Sequence, residues 1–140
     1  MDFHPPSWLR IDCDTYKRML NREAVALTKQ AKKDGGCFQV KDALIAIDHA
    51  FHCCNGTDPY DGQPLEGMSL LSVSNDVISR AGMDDQRLYR RLPRVVVLHA
   101  GQSPEFEVIS WQTKAAKGDM SRTEFLQYCC QVAKKNNHEF

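Results

Sequence analysis

LPRVVVLHAGQSPEFEVISWQTKAAKGDM, residues 92–120, is the stretch that decides the fold of this chain. Val95 to Leu98 is a short β-branched and apolar run, and Phe106 to Trp111 alternates with a period near two, so both segments are predicted to be β-strands. A glycine and a proline break the chain between them, which predicts a β-hairpin with a long loop. Helix-forming residues then continue to Gly118, a typical helix stop. The stretch therefore predicts a ββα unit.

This unit resembles the core of HNH-type proteins, the His-Me finger or ββα-metal nuclease-like family. The shared features are His99 at the end of the first strand, an aromatic end to the second strand, and a helix that runs into Lys117-Gly118-Asp119-Met120-Ser121. Upstream, DPYDGQPL at residues 58–65 is similar to the lead-in of some bacterial members, so the resemblance covers about the last eighty residues. It implies a nuclease-like fold in which His99 activates water and one divalent ion neutralises the phosphate.

Two residues depart from the family pattern. Active members usually have an aspartate ligand immediately before the histidine and Asn or His on the following helix, where this chain has Leu98 and Lys114. Leucine cannot bind a metal, and a lysine ammonium would repel a divalent ion, although it could contact a phosphate. We therefore predict no standard metal site and no cofactor. His99, if the chain is active, and Lys114 remain the candidate catalytic residues.

The charge balance excludes a strong general attraction to nucleic acid. Eighteen basic and eighteen acidic side chains give a formal net charge of zero, so any DNA contact must rely on a local patch. The candidate nucleic-acid-binding residues are basic and lie in or near the ββα stretch: Arg87, Arg90, Arg91, Arg94 and Lys117. Arginine suits bidentate phosphate contacts, but internal pairing with Asp84, Asp85 or Glu107 explains these arginines equally well.

Helices are predicted on both sides of the hairpin. The first runs from about Thr15 to Lys33 with Asp14 as its cap, and the second from about Val40 to Cys54. Together they form an antiparallel helical hairpin that we expect to pack on the ββα unit, which alone could not bury its apolar side. A capping box at residues 121–124 begins a C-terminal helix that ends near Lys135.

The length is that of one domain, so we predict a single α+β domain over residues 1–140. Its helical hairpin part is residues 1–56 and its HNH-like part is residues 57–140. Turn-forming residues from Asn55 to Pro64 mark the boundary as an ordered loop. Two short helices are predicted over 75–81 and 84–91.

Six cysteines are present, but no secretory signal or membrane-spanning run is recognised. We therefore expect a cytoplasmic protein without membrane contact, whose thiols are reduced. One member of each adjacent pair, Cys53-Cys54 and Cys129-Cys130, is interpreted as a small buried hydrophobe. The alternative is a metal site drawn from two histidines that share a helix face and the first cysteine pair: His49, His52, Cys53 and Cys54.

Two hypotheses of function remain. The favoured one is a degenerate HNH-like domain that binds nucleic acid or a protein partner through its arginine-bearing face, without standard metal-dependent cleavage. The alternative is an active metal-dependent endonuclease with His99 as general base, in which the ion is held by Asp119, Glu105, Glu107 or an acid of the Asp58 loop. The family resemblance also implies an origin in mobile elements.

Overall fold

A computed structural model of the chain describes residues 2–66 and 89–136. The helix predicted over 75–81, most of the one predicted over 84–91, and the candidate residue Arg87 lie outside these residues. Residues 89–91 form a turn. In the described part of the chain, no helix is both long enough and apolar enough to cross a membrane.

Helix α1 (Cys13–Lys33) begins two residues earlier than the sequence predicts. The Asp12 carboxylate caps it by accepting a hydrogen bond from the backbone N–H of Thr15 at 2.7 Å. The predicted cap, Asp14, lies instead in the first turn, where its charge complements the helix dipole. The helix ends at Asp34, and Gly35 follows with a φ of +87°, a conformation that favours glycine.

Helix α2 (Val40–Cys53) lies antiparallel to α1, as predicted. The start of α1 meets the end of α2: the Tyr16 hydroxyl donates to Asp48 at 2.6 Å, and the Tyr16 ring meets Phe51 edge-on at 6.0 Å. Trp8, which precedes α1, stacks on Phe51 at 6.1 Å and donates from its indole N–H to the Phe51 carbonyl at 2.8 Å. The aromatic rings therefore fix the pairing of the two helices.

Strands β1 (Pro93–His99) and β2 (Glu105–Ser110) form a two-stranded antiparallel sheet. Strand β1 begins two residues earlier than predicted and ends one residue later, at His99. Strand β2 begins one residue earlier than predicted and ends one residue earlier, at Ser110. Val95 pairs with Val108 and Val97 with Phe106, but the next pair joins His99 to Glu105. One residue, Leu98, is thus left over in a β-bulge near the hairpin loop.

Helix α3 (Trp111–Lys117) follows β2 directly. Trp111 begins this helix instead of ending the strand, because the Ser110 hydroxyl caps it by accepting from the Thr113 N–H at 3.1 Å. Gly118 ends it with a φ of +57°, as predicted. The chain therefore has the order strand, strand, helix, but α3 has only seven residues.

The core lies where α2 packs on β2, with α1 on the other side of α2. It contains apolar side chains from both helices and both strands, among them Leu20, Ile47, Phe106 and Val108. Phe38, just before α2, meets Phe106 edge-on at 5.7 Å. The fold is therefore α+β, with a helical pair packed against a hairpin.

Helix α4 (Arg122–Lys135) has the predicted capping box: Ser121 Oγ accepts from the Glu124 N–H, and the Glu124 carboxylate accepts from the Ser121 N–H, both at 3.1 Å. None of its residues is buried. The prediction that one member of each adjacent cysteine pair is buried is wrong for Cys129 and Cys130, which are both half-buried. In the other pair Cys53 is exposed, and Cys54 is half-buried and packs against the core. All six thiols are unpaired.

Candidate functional site

His99 lies on the exposed surface at the end of β1. Its cross-strand partner is Glu105, and its ring lies against Gly101, where an added Cβ would approach the ring Nε2 to 2.6 Å. The preceding residue, Leu98, is also exposed. The hairpin loop therefore presents the histidine to solvent, with an apolar side chain before it where the resembled family has a metal ligand.

Lys114 does not lie near His99. It sits on α3, half-buried, and its charge interacts with that of Arg94 near the start of β1. Arg94 and His99 are five residues apart on one strand, which corresponds to about 16 Å. Burial, together with the nearby Arg94 charge, lowers the pKa of the Lys114 ammonium. The two candidate catalytic residues thus occupy opposite ends of the hairpin.

Two of the acids that would have to supply alternative metal ligands, Asp58 and Glu107, are engaged elsewhere. Asp58 is completely buried, with one carboxylate oxygen 2.8 Å from the Ser110 N–H and the other 2.6 Å from the Tyr60 N–H. The Tyr60 hydroxyl donates to Glu107 at 2.7 Å, and burial with this contact raises the pKa of Tyr60. Asp119 is exposed, beyond the end of α3.

Within residues 2–66 and 89–136, no group of three or more His, Cys, Asp or Glu side chains is placed to hold a metal ion. This includes the sequence alternative at the end of α2. His49 pairs with Cys53, with Nε2 3.3 Å from Sγ, whereas His52 points to the backbone carbonyl of His4 at 2.9 Å. The described residues therefore do not assemble a set of three such ligands for the divalent ion that the family resemblance implies.

The candidate arginines have different environments. Arg91 forms a bidentate pair with the Asp61 carboxylate, at 2.8 and 3.2 Å, and donates to the carbonyls of Gln63 and Pro64, each at 2.9 Å. Arg94 is buried, close to the charges of α1, and burial lowers its pKa. Arg90 is exposed and Lys117 is half-buried. The structure does not bring these side chains together as one exposed patch.

These environments predict different costs of substitution for two adjacent arginines. Arg91→Ala removes a bidentate pair and two hydrogen bonds to carbonyls, so we expect the free energy of unfolding to fall by about 1–2 kcal/mol. Arg90→Ala, the matched control, should change it by no more than about 0.5 kcal/mol because the side chain is exposed. Urea denaturation of the two variants measures both values. Equal effects would contradict the assignment of Arg91 to the loop that contains Asp61.

A cavity of about 690 Å³ lies between α2 and the hairpin. One wall is a face of α2 that extends from Asp42 to Cys53. The other walls are the loop residues 102–104 and the first four residues of β2, from Glu105 to Val108. A volume in this range is typical of ligand sites in proteins.

The charged side chains at this cavity are mostly acidic. Asp42, Glu105 and Glu107 carry carboxylates, and His49 is the one basic side chain in the lining. Apolar side chains such as Ile45 and Leu98 make up much of the remaining wall. The cavity therefore favours a ligand that combines apolar groups with a positive charge.

No pattern in the sequence predicts this cavity. Asp42, Ala46, His49 and Cys53 recur at spacings of four, three and four, which is the signal of a helix face. Only two members of this face, His49 and Cys53, belong to the metal site that the sequence offers as an alternative. The role of Asp58 was also missed, although an aspartate before a proline in a cluster of turn formers is typical of a side chain that accepts from the backbone two residues on.

Comparison of the chain with protein-family models, curated proteins and solved structures gives no match. The resemblance to the HNH family therefore stays a prediction that depends on the residues quoted for it.

Proposed function

We propose that this protein is a binding domain that recognises a partner protein, and that it receives an extended, positively charged and apolar segment of that partner in the cavity between α2 and β2. The proposal retains the hypothesis of an HNH-like domain that acts by binding, in the cytoplasm, and chooses a protein over a nucleic acid as its partner. The observation that carries it is the acidic lining of the cavity.

Charge favours this choice of partner. The carboxylates of Asp42, Glu105 and Glu107 line the cavity and would repel phosphate groups, whereas they attract lysine and arginine side chains. Among the candidate nucleic-acid-binding arginines, Arg91 is paired with Asp61, and Arg94 is buried. Two of the arginines that would contact a phosphate backbone are thus committed within the chain.

The strand geometry favours an extended peptide over a compact small molecule. Successive side chains of a strand point to opposite faces, yet the cavity touches every residue from Glu105 to Val108. In the described residues β2 pairs only with β1, and we propose that the cavity gives access to the other edge of β2. A partner segment could therefore add a strand to β2, with its backbone bonded to the edge and its side chains in the cavity.

The placement of the HNH-type residues supports binding over standard cleavage. Leu98 precedes His99 where a metal ligand is needed, and Lys114 interacts with Arg94 near the start of β1, at the other end of that strand from His99. Of the acids of the alternative hypothesis, Asp58 is bound to backbone N–H groups and Glu107 to the Tyr60 hydroxyl. We therefore propose that the domain retains the hairpin and the helix of the resembled family but binds its partner through the cavity between α2 and β2.

Fluorescence anisotropy with a labelled short peptide that alternates lysine and valine tests the proposal. We expect binding at low salt that weakens as salt rises, because surface charges are then screened. Glu105→Lys should weaken binding about tenfold by reversing one exposed charge of the cavity. Glu66→Lys is the matched control, since Glu66 is exposed but does not line the cavity. Glu107 is unsuitable for this test because its carboxylate accepts a hydrogen bond from the Tyr60 hydroxyl.

NMR shifts locate the contact. Amide signals of β2 and of the cavity face of α2 should move on peptide addition, and those of α4 should not. A peptide of alternating glutamate and valine should not bind. Failure of the lysine peptide to bind at low salt would overturn the proposal. Salt-dependent binding of duplex DNA would favour the nucleic-acid hypothesis, and metal-dependent cleavage that is lost in His99→Ala would favour the nuclease.

A further inference from the structure

The adjacent thiols of Cys53 and Cys54 both line the cavity between α2 and β2, but their environments differ. Cys53 is exposed, whereas Cys54 is half-buried and packs against the core. The Cys54 thiol donates to the Phe51 carbonyl at 3.5 Å, and burial raises its pKa. A thiol that keeps its proton is a poor nucleophile, because the thiolate is the reactive species. Cys53 is therefore the more reactive thiol of the pair.

His49 lies one helical turn before Cys53 and contacts its thiol. The Cys53 Sγ is 3.3 Å from Nε2 of His49 and 3.7 Å from Nδ1, and residues four apart on a helix share a face. Both side chains line the cavity. The imidazole is thus placed to accept the thiol proton and to stay beside the thiolate, the arrangement that activates a cysteine nucleophile.

A second cysteine and histidine pair provides a comparison outside the cavity. The exposed thiol of Cys13, at the start of α1, lies 3.5 Å from Nδ1 of His4. In the described part of the chain, neither of these residues lines the cavity. The two pairs have the same chemistry, so any preference that the cavity imposes on a reagent should act at Cys53 and not at Cys13.

The lining of the cavity selects the charge of such a reagent. The carboxylates of Asp42, Glu105 and Glu107 attract an ammonium group and repel a second carboxylate. The same carboxylates disfavour a negative charge on Cys53, so the thiolate depends on a protonated His49 beside it. A cavity of about 690 Å³ is large enough for a reagent with two short aliphatic arms.

We propose that Cys53 is a site of thiol–disulfide exchange, to which the cavity directs small disulfides that carry a positive charge. His49 accepts the Cys53 proton, and the thiolate attacks one sulfur of the disulfide. The S–S bond of the reagent breaks as the new bond to Cys53 forms. The departing thiolate takes the proton from His49, so one thiol and one disulfide are consumed and one of each is formed.

The group that is attached to Cys53 occupies part of the cavity and adds a positive charge to it. Modification should therefore weaken binding of the lysine–valine peptide about tenfold, and reduction should restore it. This consequence rests on the proposed function. The exchange itself is measured without any peptide, so its failure and the failure of the proposed function are distinguishable.

Mass spectrometry of the digested chain measures the rate of modification at each cysteine. The probes are cystamine, which carries two ammonium groups, and dithiodipropionate, which carries two carboxylates. We expect the ratio of the cystamine rate to the dithiodipropionate rate to be about tenfold higher at Cys53 than at Cys13. Glu105→Lys should lower this preference, and Glu66→Lys should leave it unchanged. Equal ratios at the two cysteines would overturn the proposal.

Variants of the pair test the role of His49. His49→Gln should slow the reaction of Cys53 with cystamine about tenfold at pH 7, and the loss should shrink as the pH rises and the thiol ionises without help. The rate at Cys13 should not change. Cys54→Ser should leave the Cys53 rate unaltered, and circular dichroism shows whether each variant retains the fold. Faster modification of Cys54 than of Cys53, or an unchanged Cys53 rate in His49→Gln, would contradict the assignment.

Discussion

Asp58→Ala should lower the free energy of unfolding by about 3–5 kcal/mol, which corresponds to a fall in Tm of roughly 10 °C or more. The carboxylate is completely buried and accepts from the backbone N–H groups of Tyr60 and Ser110, which lie in the boundary loop and at the end of β2. Removing it leaves both donors without their acceptor in a place that water does not fill readily. Thermal and urea denaturation measure the loss.

The charge of Asp58 also predicts a dependence on pH. Burial alone would raise the pKa of this carboxyl, but hydrogen bonds from Ser110, Tyr60 and Thr113 outweigh it and hold the pKa below 3.8. A carboxyl with a lowered pKa in the folded state contributes stability above the pKa of the unfolded chain, and this contribution is lost as the pH falls through the folded value. Wild-type stability should therefore fall below about pH 4.

Asp58→Asn separates charge from shape. The Asp58→Asn variant should be less stable than the wild type at neutral pH. It should not show the part of the acid-induced loss of stability that comes from protonation of the Asp58 carboxylate. Asp119→Asn is the control, because Asp119 is exposed beyond the end of α3. If Asp58→Asn and the wild type lost stability in parallel between pH 5 and pH 3, the acid dependence would have to come from another carboxyl.

Phe51→Ala should destabilise the chain by about 3–5 kcal/mol, a large share of the 5–15 kcal/mol that is typical of a domain. The ring is 1% exposed and lies between Trp8 and Tyr16, so its removal leaves a cavity and takes away both ring contacts. Those contacts hold the segment before α1 and the start of α1 against α2. Both should become less protected from hydrogen exchange.

The control for this prediction is a smaller change at the same position. Phe51→Leu keeps most of the volume and should cost about 1–1.5 kcal/mol. Ile45→Ala, at an exposed position on the same helix, should cost less than about 1 kcal/mol. A loss at Phe51→Ala no greater than that at Ile45→Ala would show that the aromatic contacts do not hold the helices together.

Much of the fold could be predicted because its signals are local. The recurrence of apolar residues at spacings of three and four gave α2 within one residue, and the capping box gave the start of α4. Asp12 and Asp14 are both possible caps of α1, and the periodicity of the helix does not distinguish between them. Trp111 was likewise assigned to the strand because the cap at Ser110 depends on side-chain geometry.

The candidate site could not be predicted because its contacts are not local. Asp58 and Ser110 are 52 residues apart, and Arg91 reaches Asp61 across 30 residues, so no spacing in the sequence announces either pair. The burial of Arg94 depends on how the hairpin meets α1. The cavity arises where α2 approaches β2, and its acidic character combines residues of two elements.

The β-bulge at Leu98 allows the sequence of the hairpin loop to change independently of the core. Below the bulge, the buried pair of Val95 and Val108 ties the register of the strands to the interior. Above it, from Leu98 to Ser103, the side chains are mostly exposed, and several of them form the rim of the cavity. A change of residue or length in the loop can be absorbed there without turning the strands over. Substitutions in the loop can thus change the rim of the cavity while the register and the buried pair of the strands stay the same.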